Sequence, residues 1–347
     1  MNLTAGHTHA EIYSQPEAWQ SALQAIHPQK GEFRDFFNKG HYAQVIFTGC
    51  GSTYYLALAA AALYRQLSGR VATGLPASEI WLYPGSAYPG SARTLLVAIS
   101  RSGETTETVA ACEAFKLSGQ GDVLTLSCYP DRALTYLGAL NVVLPSGQEQ
   151  SIAQTRAFTT LYIAVSALIA VWTGKDTLFE ELKALPEIGA RLLAKYQQIA
   201  HDFGSDTRLD RFYFLGSGLF YGLAAELSLK LKEMSMSHSE PFHFMEYRHG
   251  PQAMITPETL LIGLHSEAQY ARERAVLDDM SKGNVKVLTF GESKSSVSFE
   301  SRLSEPARGA LYLPIGQLLA FERAISRGLN PDRPNNLDYV VRVDKTV

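Results

Sequence analysis

Cysteine is scarce in this chain. Its 347 residues include three, Cys50, Cys112 and Cys128, and no two form a CxxC pair. Neither a disulfide framework nor a zinc site is expected, and a reducing cytoplasmic setting fits. Charge of one sign is also lacking. The formal net charge is -3, which leaves no electrostatic footprint for nucleic acid or an anionic membrane. Any anion must then be held by local geometry. Long hydrophobic runs are missing too: the longest, Leu161 to Trp172, falls short of the ~18–20 apolar residues that span a bilayer and reads as a buried core helix. The start, Met1-Asn2-Leu3-Thr4-Ala5-Gly6, lacks the basic and apolar regions of a signal peptide. No Gly/Pro-rich linker divides the chain, and Gly174 to Ser205, helical and charged, reads as the joint between two packed lobes.

What is present is an alternation of strands and helices, repeated. After an amphipathic lead-in from Glu11 to Ile26, the strand Ala43–Thr48 runs into Gly49-Cys50-Gly51-Ser52-Thr53 and an alanine-rich helix from Tyr54 to Leu67. The strand Thr94–Ile99 runs into Ser100-Arg101-Ser102-Gly103-Glu104-Thr105 and a helix through Phe115. Val123–Leu126 and Val142–Leu144 read as further strands. The pattern then restarts. Arg211–Leu215 reads as a strand, Gly216-Ser217-Gly218 as its turn, and a long helix follows to Met236. Phe47-Thr48-Gly49-Cys50-Gly51 aligns with Phe214-Leu215-Gly216-Ser217-Gly218, and Tyr54 with Tyr221. Leu260–Leu264 and Val285–Phe290 supply strands around a helix from Ala271 to Lys282. The fold class is α/β: two tandem lobes, each a mostly parallel sheet flanked by helices.

The glycine turns fail the dinucleotide fingerprint G-x-G-x-x-G, because Tyr54 and Tyr221 occupy the third glycine position. No cofactor is expected. A phosphate monoester fits better. Ser52 and Thr53 open one helix, and Ser100, Ser102 and Thr105 stand at the next strand-to-helix junction, where free N–H groups and the helix dipole favour an anion. Ordinary helix capping accounts for such hydroxyls as well; two hydroxyl-rich junctions in one lobe favour phosphate. In the second half Lys230 and Glu233, three apart on a helix, face the same way. They read as an acid–base pair or as part of a surface salt-bridge ladder with Glu226 and Lys232. His238, His243 and His249 lie close in sequence, but Pro241 and their spacing fit no helical metal site. No metal is expected. Cys50, between two glycines, reads as a small hydrophobe.

Taken in order, these pieces resemble the sugar isomerase (SIS) superfamily, and most closely the isomerase half of glutamine-dependent glucosamine-6-phosphate synthase and the free-standing aminosugar-phosphate deaminases. The resemblance rests on Glu11-Ile12-Tyr13-Ser14-Gln15-Pro16, the two hydroxyl-rich loops, Thr155-Arg156-Ala157-Phe158-Thr159-Thr160, Leu229-Lys230-Leu231-Lys232-Glu233, Arg248-His249-Gly250-Pro251 and Asn330-Pro331-Asp332-Arg333-Pro334-Asn335-Asn336-Leu337. It implies a flavodoxin-like sandwich in each lobe, with a helical lead-in over 1–40, a first lobe over 41–190, a second over 200–329 and a closing segment over 330–347. It implies that Ser52, Thr53, Ser100, Ser102 and Thr105 hold the phosphate of a hexose or hexosamine 6-phosphate. Glu233 would move a proton between C1 and C2, Lys230 would orient the sugar oxygens or steady the enediolate, and His249 would assist ring opening from a neighbouring subunit of a homodimer. Gly51, Gln154 and Tyr339 would border the sugar.

Two departures shape the expected reaction. The first hydroxyl loop arrives by Gly49, with Asn2 after Met1, which leaves no room for the synthase's glutamine-hydrolysing domain. That favours ammonia release: an aminosugar-6-phosphate deaminase or isomerase, such as glucosamine 6-phosphate to fructose 6-phosphate and ammonia. The synthase pattern N-L-A-K reads Asn336-Leu337-Asp338-Tyr339 here, and a tyrosine cannot form an imine. Gln154 likewise replaces a sugar-contacting serine. A fructosamine-6-phosphate deglycase and a non-catalytic sugar-phosphate sensor are the alternatives.

Overall fold

Ten strands form two sheets in the computed structural model, which describes residues 6–344. The first residues of the lead-in and the last three of the closing segment lie outside the described residues. The first sheet holds β1 (Gln44–Gly49), β2 (Ala72–Pro76), β3 (Thr94–Ser100), β4 (Gly121–Ser127) and β5 (Leu140–Val143), in the order β2-β1-β3-β4-β5. The second holds β6 (Arg211–Leu215), β7 (His238–Phe242), β8 (Thr259–Leu264), β9 (Lys286–Gly291) and β10 (Val297–Ser298), in the order β10-β9-β8-β6-β7. Every pairing in both is parallel. Read from the other edge, the second order repeats the first, so the duplication expected from the sequence is a duplication of topology. In each sheet the strand order reverses beside the glycine-turn strand, the place where open α/β sheets gather ligands.

The chain separates into two compact units. The first comprises Glu17–Glu149, Arg156–Lys183 and Asp338–Val347; the second comprises Met1–Pro16, Gln150–Thr155 and Ala184–Leu337. In the first unit β3 is buried at every position, as expected of a central parallel strand covered on both faces. One face packs Ile46, Leu96, Ala98 and Val123 against Ile80 and Phe115. Helix Arg156–Trp172 is buried from Ala157 through Trp172, so it is apolar all round because it is core. Among the described residues no helix is long and apolar enough to cross a membrane. In the second unit Leu215, Leu261, Val276 and Leu277 pack with Tyr213, Phe244 and Tyr247.

Four elements depart from the sequence reading. The lead-in breaks into helices Gly6–Tyr13 and Gln15–Ile26. Pro16 offers no N–H and suits only the first turn of a helix, so the chain restarts there. β2, β7 and β10 carry no hydrophobic alternation and went unanticipated. Each lies at a sheet edge, where Pro76 and Pro241 are tolerated.

Candidate functional site

The two hydroxyl-rich loops of the first unit leave neighbouring strands, β1 and β3, paired in register from Gln44↔Thr94 to Thr48↔Ala98. Gly51 takes φ 54° and ψ -121° ahead of helix Ser52–Ser68, a backbone that favours glycine. A Cβ on Gly49 would meet the Ile99 carbonyl at 2.8 Å, so only glycine lets the turn press this closely on β3. Ser52, Thr53, Ser100 and Ser102 are all buried. The Thr53 hydroxyl donates to the Cys50 carbonyl (3.0 Å) and accepts from the Cys50 N–H (2.9 Å), so it shapes the turn as a cap would. Ser100 accepts from the Gly103 N–H (3.1 Å) and Ser102 from the Glu104 N–H (3.2 Å). Thr105 lies 3.3 Å from the Ser100 hydroxyl. A hydroxyl that accepts a backbone N–H still has its own proton to give. Cys50 lies 3.4 Å from Thr108, and burial pushes its thiol up to about 11, so it is a poor nucleophile.

The second unit repeats this backbone with different chemistry. Gly218 takes φ 60° and ψ -129°, but Leu219 and Phe220 stand where Ser52 and Thr53 do. The junction after β8 is filled by the protein's own carboxylates. Glu273 accepts the Ser266 N–H (2.7 Å) and hydroxyl (3.0 Å), and Glu305 accepts the N–H groups of Glu267 (2.5 Å) and Ala268 (3.3 Å). A bound anion would have to displace them.

Charge gathers instead near the other end of helix Leu219–Ser235. The Lys230 side chain is fully buried. Its ammonium lies 3.5 Å from Glu226 and donates to Glu233. A buried ammonium is tolerated only when paired in this way, which rules out the surface-ladder reading for Lys230. The Glu233 side chain keeps 18% of its exposure and borders a narrow cleft with Met236, Asn330, Pro334 and Asn335. His249 is exposed, on a loop anchored by the buried Tyr247. Among the described residues no side-chain hydrogen bond joins His249 to Lys230 or Glu233. His243 stacks on Tyr221 at 4.0 Å, and burial lowers its pKa.

Gln154 sits in loop Gln150–Thr155 of the second unit, its side-chain oxygen buried with no hydrogen-bond partner among the described residues. Tyr339 belongs to the first unit. Its hydroxyl is 2.7 Å from that of Tyr129 and donates to the Glu149 carbonyl (3.2 Å), and burial drives its pKa far up. The Arg101 guanidinium packs 4.1 Å from its ring centroid and pairs with Glu149 at 3.2 Å, both side chains buried. Glu149 in turn accepts the Ala157 N–H (3.0 Å) at the start of helix Arg156–Trp172. The tail continues along the second loop, with the Val341 carbonyl accepting the Thr106 N–H (3.4 Å) and Arg342 3.6 Å from Glu104. Sequence reading gave Arg101 and Glu149 no role. The only available signal was an arginine set among small hydroxyl residues.

Residues 41–171 match the family model of the SIS domain. Nearly the whole chain aligns with isomerizing glutamine–fructose-6-phosphate aminotransferases. It is 28% identical to that of Thermococcus kodakarensis over 368 residues, covering 98% of this chain and 59% of the relative. To that of Bordetella pertussis it is 29% identical over 360 residues, covering 96% and 58%. The chain thus spans less than two thirds of the length of these relatives. Among solved structures, glucosamine-6-phosphate deaminase from Thermotoga maritima is similar at TM-score 0.74 and 27% identity, covering 92% of this chain and 99% of that one. Tagatose-6-phosphate ketose/aldose isomerase from Escherichia coli is similar at TM-score 0.86 and 20% identity, covering 97% of each, a likeness of fold alone. Residues 41–171 thus carry a SIS domain, and the chain is homologous along nearly its full length to the isomerase portion of the glutamine–fructose-6-phosphate aminotransferases.

Proposed function

We propose that the chain is a phosphosugar isomerase that acts on a hexosamine 6-phosphate and releases ammonia. The observation that carries this reading is the buried Lys230 ammonium held between Glu226 and Glu233, with Glu233 left at the edge of a cleft. Aldose–ketose chemistry needs a carboxylate beside C1–C2 and a cation for the oxygen that gains charge. In the proposed sequence the Glu233 carboxylate removes the C2 proton of the open-chain aminoaldose, leaving an enolamine. Lys230 steadies the charge developing on O1. The protonated Glu233 returns the proton to C1, giving a ketose imine. Water then adds to the imine carbon and ammonia leaves, so the products are ketose 6-phosphate and ammonia. The hydroxyl and amide donors of the first unit hold the phosphate, and His249 serves ring opening from a second copy in a homodimer. Tyr339, with its hydroxyl committed to Tyr129 and Glu149, holds the tail and makes no imine.

Incubating the protein with glucosamine 6-phosphate and assaying ammonia and ketose tests the proposal. A panel of hexose 6-phosphates and fructosamine 6-phosphates separates deaminase from plain isomerase and from deglycase. Absence of turnover across the panel would leave a sugar-phosphate sensor as the better description.

A further inference from the structure

Two buried carboxylates have no part in this chemistry. Glu11 is 4% exposed and Asp332 is 5% exposed. Each collects three donors. One oxygen of Glu11 accepts the backbone N–H groups of Gln150 (2.6 Å) and Ser151 (3.3 Å), and the other accepts the Ser151 hydroxyl. Asp332 accepts the N–H (2.7 Å) and hydroxyl (2.6 Å) of Thr8 and the N–H of His7 (3.2 Å). The ring then closes, because the Asp332 carbonyl accepts the Ile152 N–H (3.0 Å). Helix Gly6–Tyr13 has no acidic residue in its first turn. It takes its N-terminal carboxylate from Asp332, more than 300 residues away, where the dipole and the free N–H groups favour one.

We infer that Glu11 and Asp332 are positioning residues that lock the Gln150–Thr155 loop and the 329–336 segment into one unit against the candidate base. The 329–336 segment supplies Asn330, Pro334 and Asn335 to the cleft beside Glu233. Asn330 also accepts the Asp332 N–H at 3.0 Å, and Asn335 donates to the Met236 sulfur at 3.4 Å. The loop carries Gln154. A local cap would have stabilised the short helix equally well; this arrangement instead makes the helix a brace for two segments, one of which, 329–336, borders the candidate site. The catalytic part of the inference rests on the proposed function, but the brace itself does not.

Hydrogen–deuterium exchange and kinetics on Glu11→Ala, Asp332→Ala and Glu11→Gln test it. The brace predicts cross-effects: Glu11→Ala speeds exchange in 329–336 as well as in 150–155, and Asp332→Ala speeds it in 150–155. Both alanine variants lose about tenfold or more in kcat through misplacement of the site. Competitive inhibition by inorganic phosphate, which reads the first unit, stays within about twofold. Glu11→Gln recovers near wild-type values, because its amide oxygen can take the two N–H groups and Ser151 can turn to accept from its NH2. Exchange confined to the mutated segment, or alanine variants with unchanged kcat, would overturn the inference. If wild-type protein turns over nothing in the panel, the proposed function fails while the exchange cross-effects still decide the brace. Should an alanine variant not fold, Thr8→Val and Ser151→Ala each remove one donor, and the same cross-effects must appear at smaller size.

Discussion

The turn Gly49-Cys50-Gly51 and the turn Gly216-Ser217-Gly218 share one backbone. Their second glycines differ by only a few degrees in φ and ψ, and each joins a central parallel strand to a 17-residue helix. The first is followed by Ser52 and Thr53, and the second by Leu219 and Phe220. The next junctions diverge further. After β3 the N–H groups of Gly103 and Glu104 rest on neutral serine hydroxyls; after β8 the N–H groups of Ser266 and Glu267 rest on Glu273 and Glu305, while that of Gln269 rests on the Ser266 hydroxyl. The two turns share a geometry that can gather an anion, and the junction after β8 is filled with internal acceptors. The second copy gathers its charge elsewhere, near the far end of its helix, where the buried Lys230 pairs with Glu226 and Glu233. A shared fold therefore marks where sites can stand, and the side chains decide which are used.

The largest expected effect breaks the comparison on the second side. Glu233→Gln removes the proposed base and lowers kcat about 10³-fold or more, with little change in KM, read in the ammonia and ketose assay. Next, Ser100→Ala with Ser102→Ala weakens competitive inhibition by inorganic phosphate about a hundredfold, since hydrogen bonds to charged groups contribute ~1.5 kcal/mol or more each. Ser217→Ala, at the matching turn, leaves that inhibition unchanged. A loss with Ser217→Ala would mean that the second turn binds anion after all.

Much of this contrast was legible in the sequence. Continuous apolar runs such as Thr94–Ile99 and Leu260–Leu264 marked the central strands, and the paired glycines marked the turns that begin the two long helices. The edge strands β2, β7 and β10 were not legible, because Ala72–Pro76 and His238–Phe242 lack the buried alternation that periodicity detects. The acceptors that fill the second junction also escaped notice. Glu305 lies far in sequence from Glu267, and only the tertiary fold brings its carboxylate to those N–H groups. The same holds for Arg101 and Glu149, and for Glu11 and Asp332: long-range pairs of buried charge leave no local pattern. Lys230 and Glu233 were legible as neighbours on a helix face, but the burial that separates them from a surface ladder was not.

Two smaller effects sharpen the comparison. Glu273→Ala strands the Ser266 N–H and hydroxyl inside the second unit and lowers unfolding free energy by about 1–3 kcal/mol, measured by urea denaturation. Smallest of all is Cys50→Ser, which gives the first turn the residue of the second. Turnover stays within about twofold, because a thiol that remains protonated near neutral pH supplies no nucleophile. Consistent with its raised pKa of about 11, Cys50 alkylates slowly at pH 8 by mass spectrometry, and the rate climbs only as pH approaches that value.

The proposed division of labour between the two units is tested most directly by titrating a hexitol 6-phosphate, which has no carbonyl to react, into two variants. The account predicts that Glu233→Gln binds it within about threefold of wild type, whereas Ser100→Ala/Ser102→Ala loses about a hundredfold. Equal binding by the serine variant and wild type, or loss of binding in Glu233→Gln alone, would contradict it.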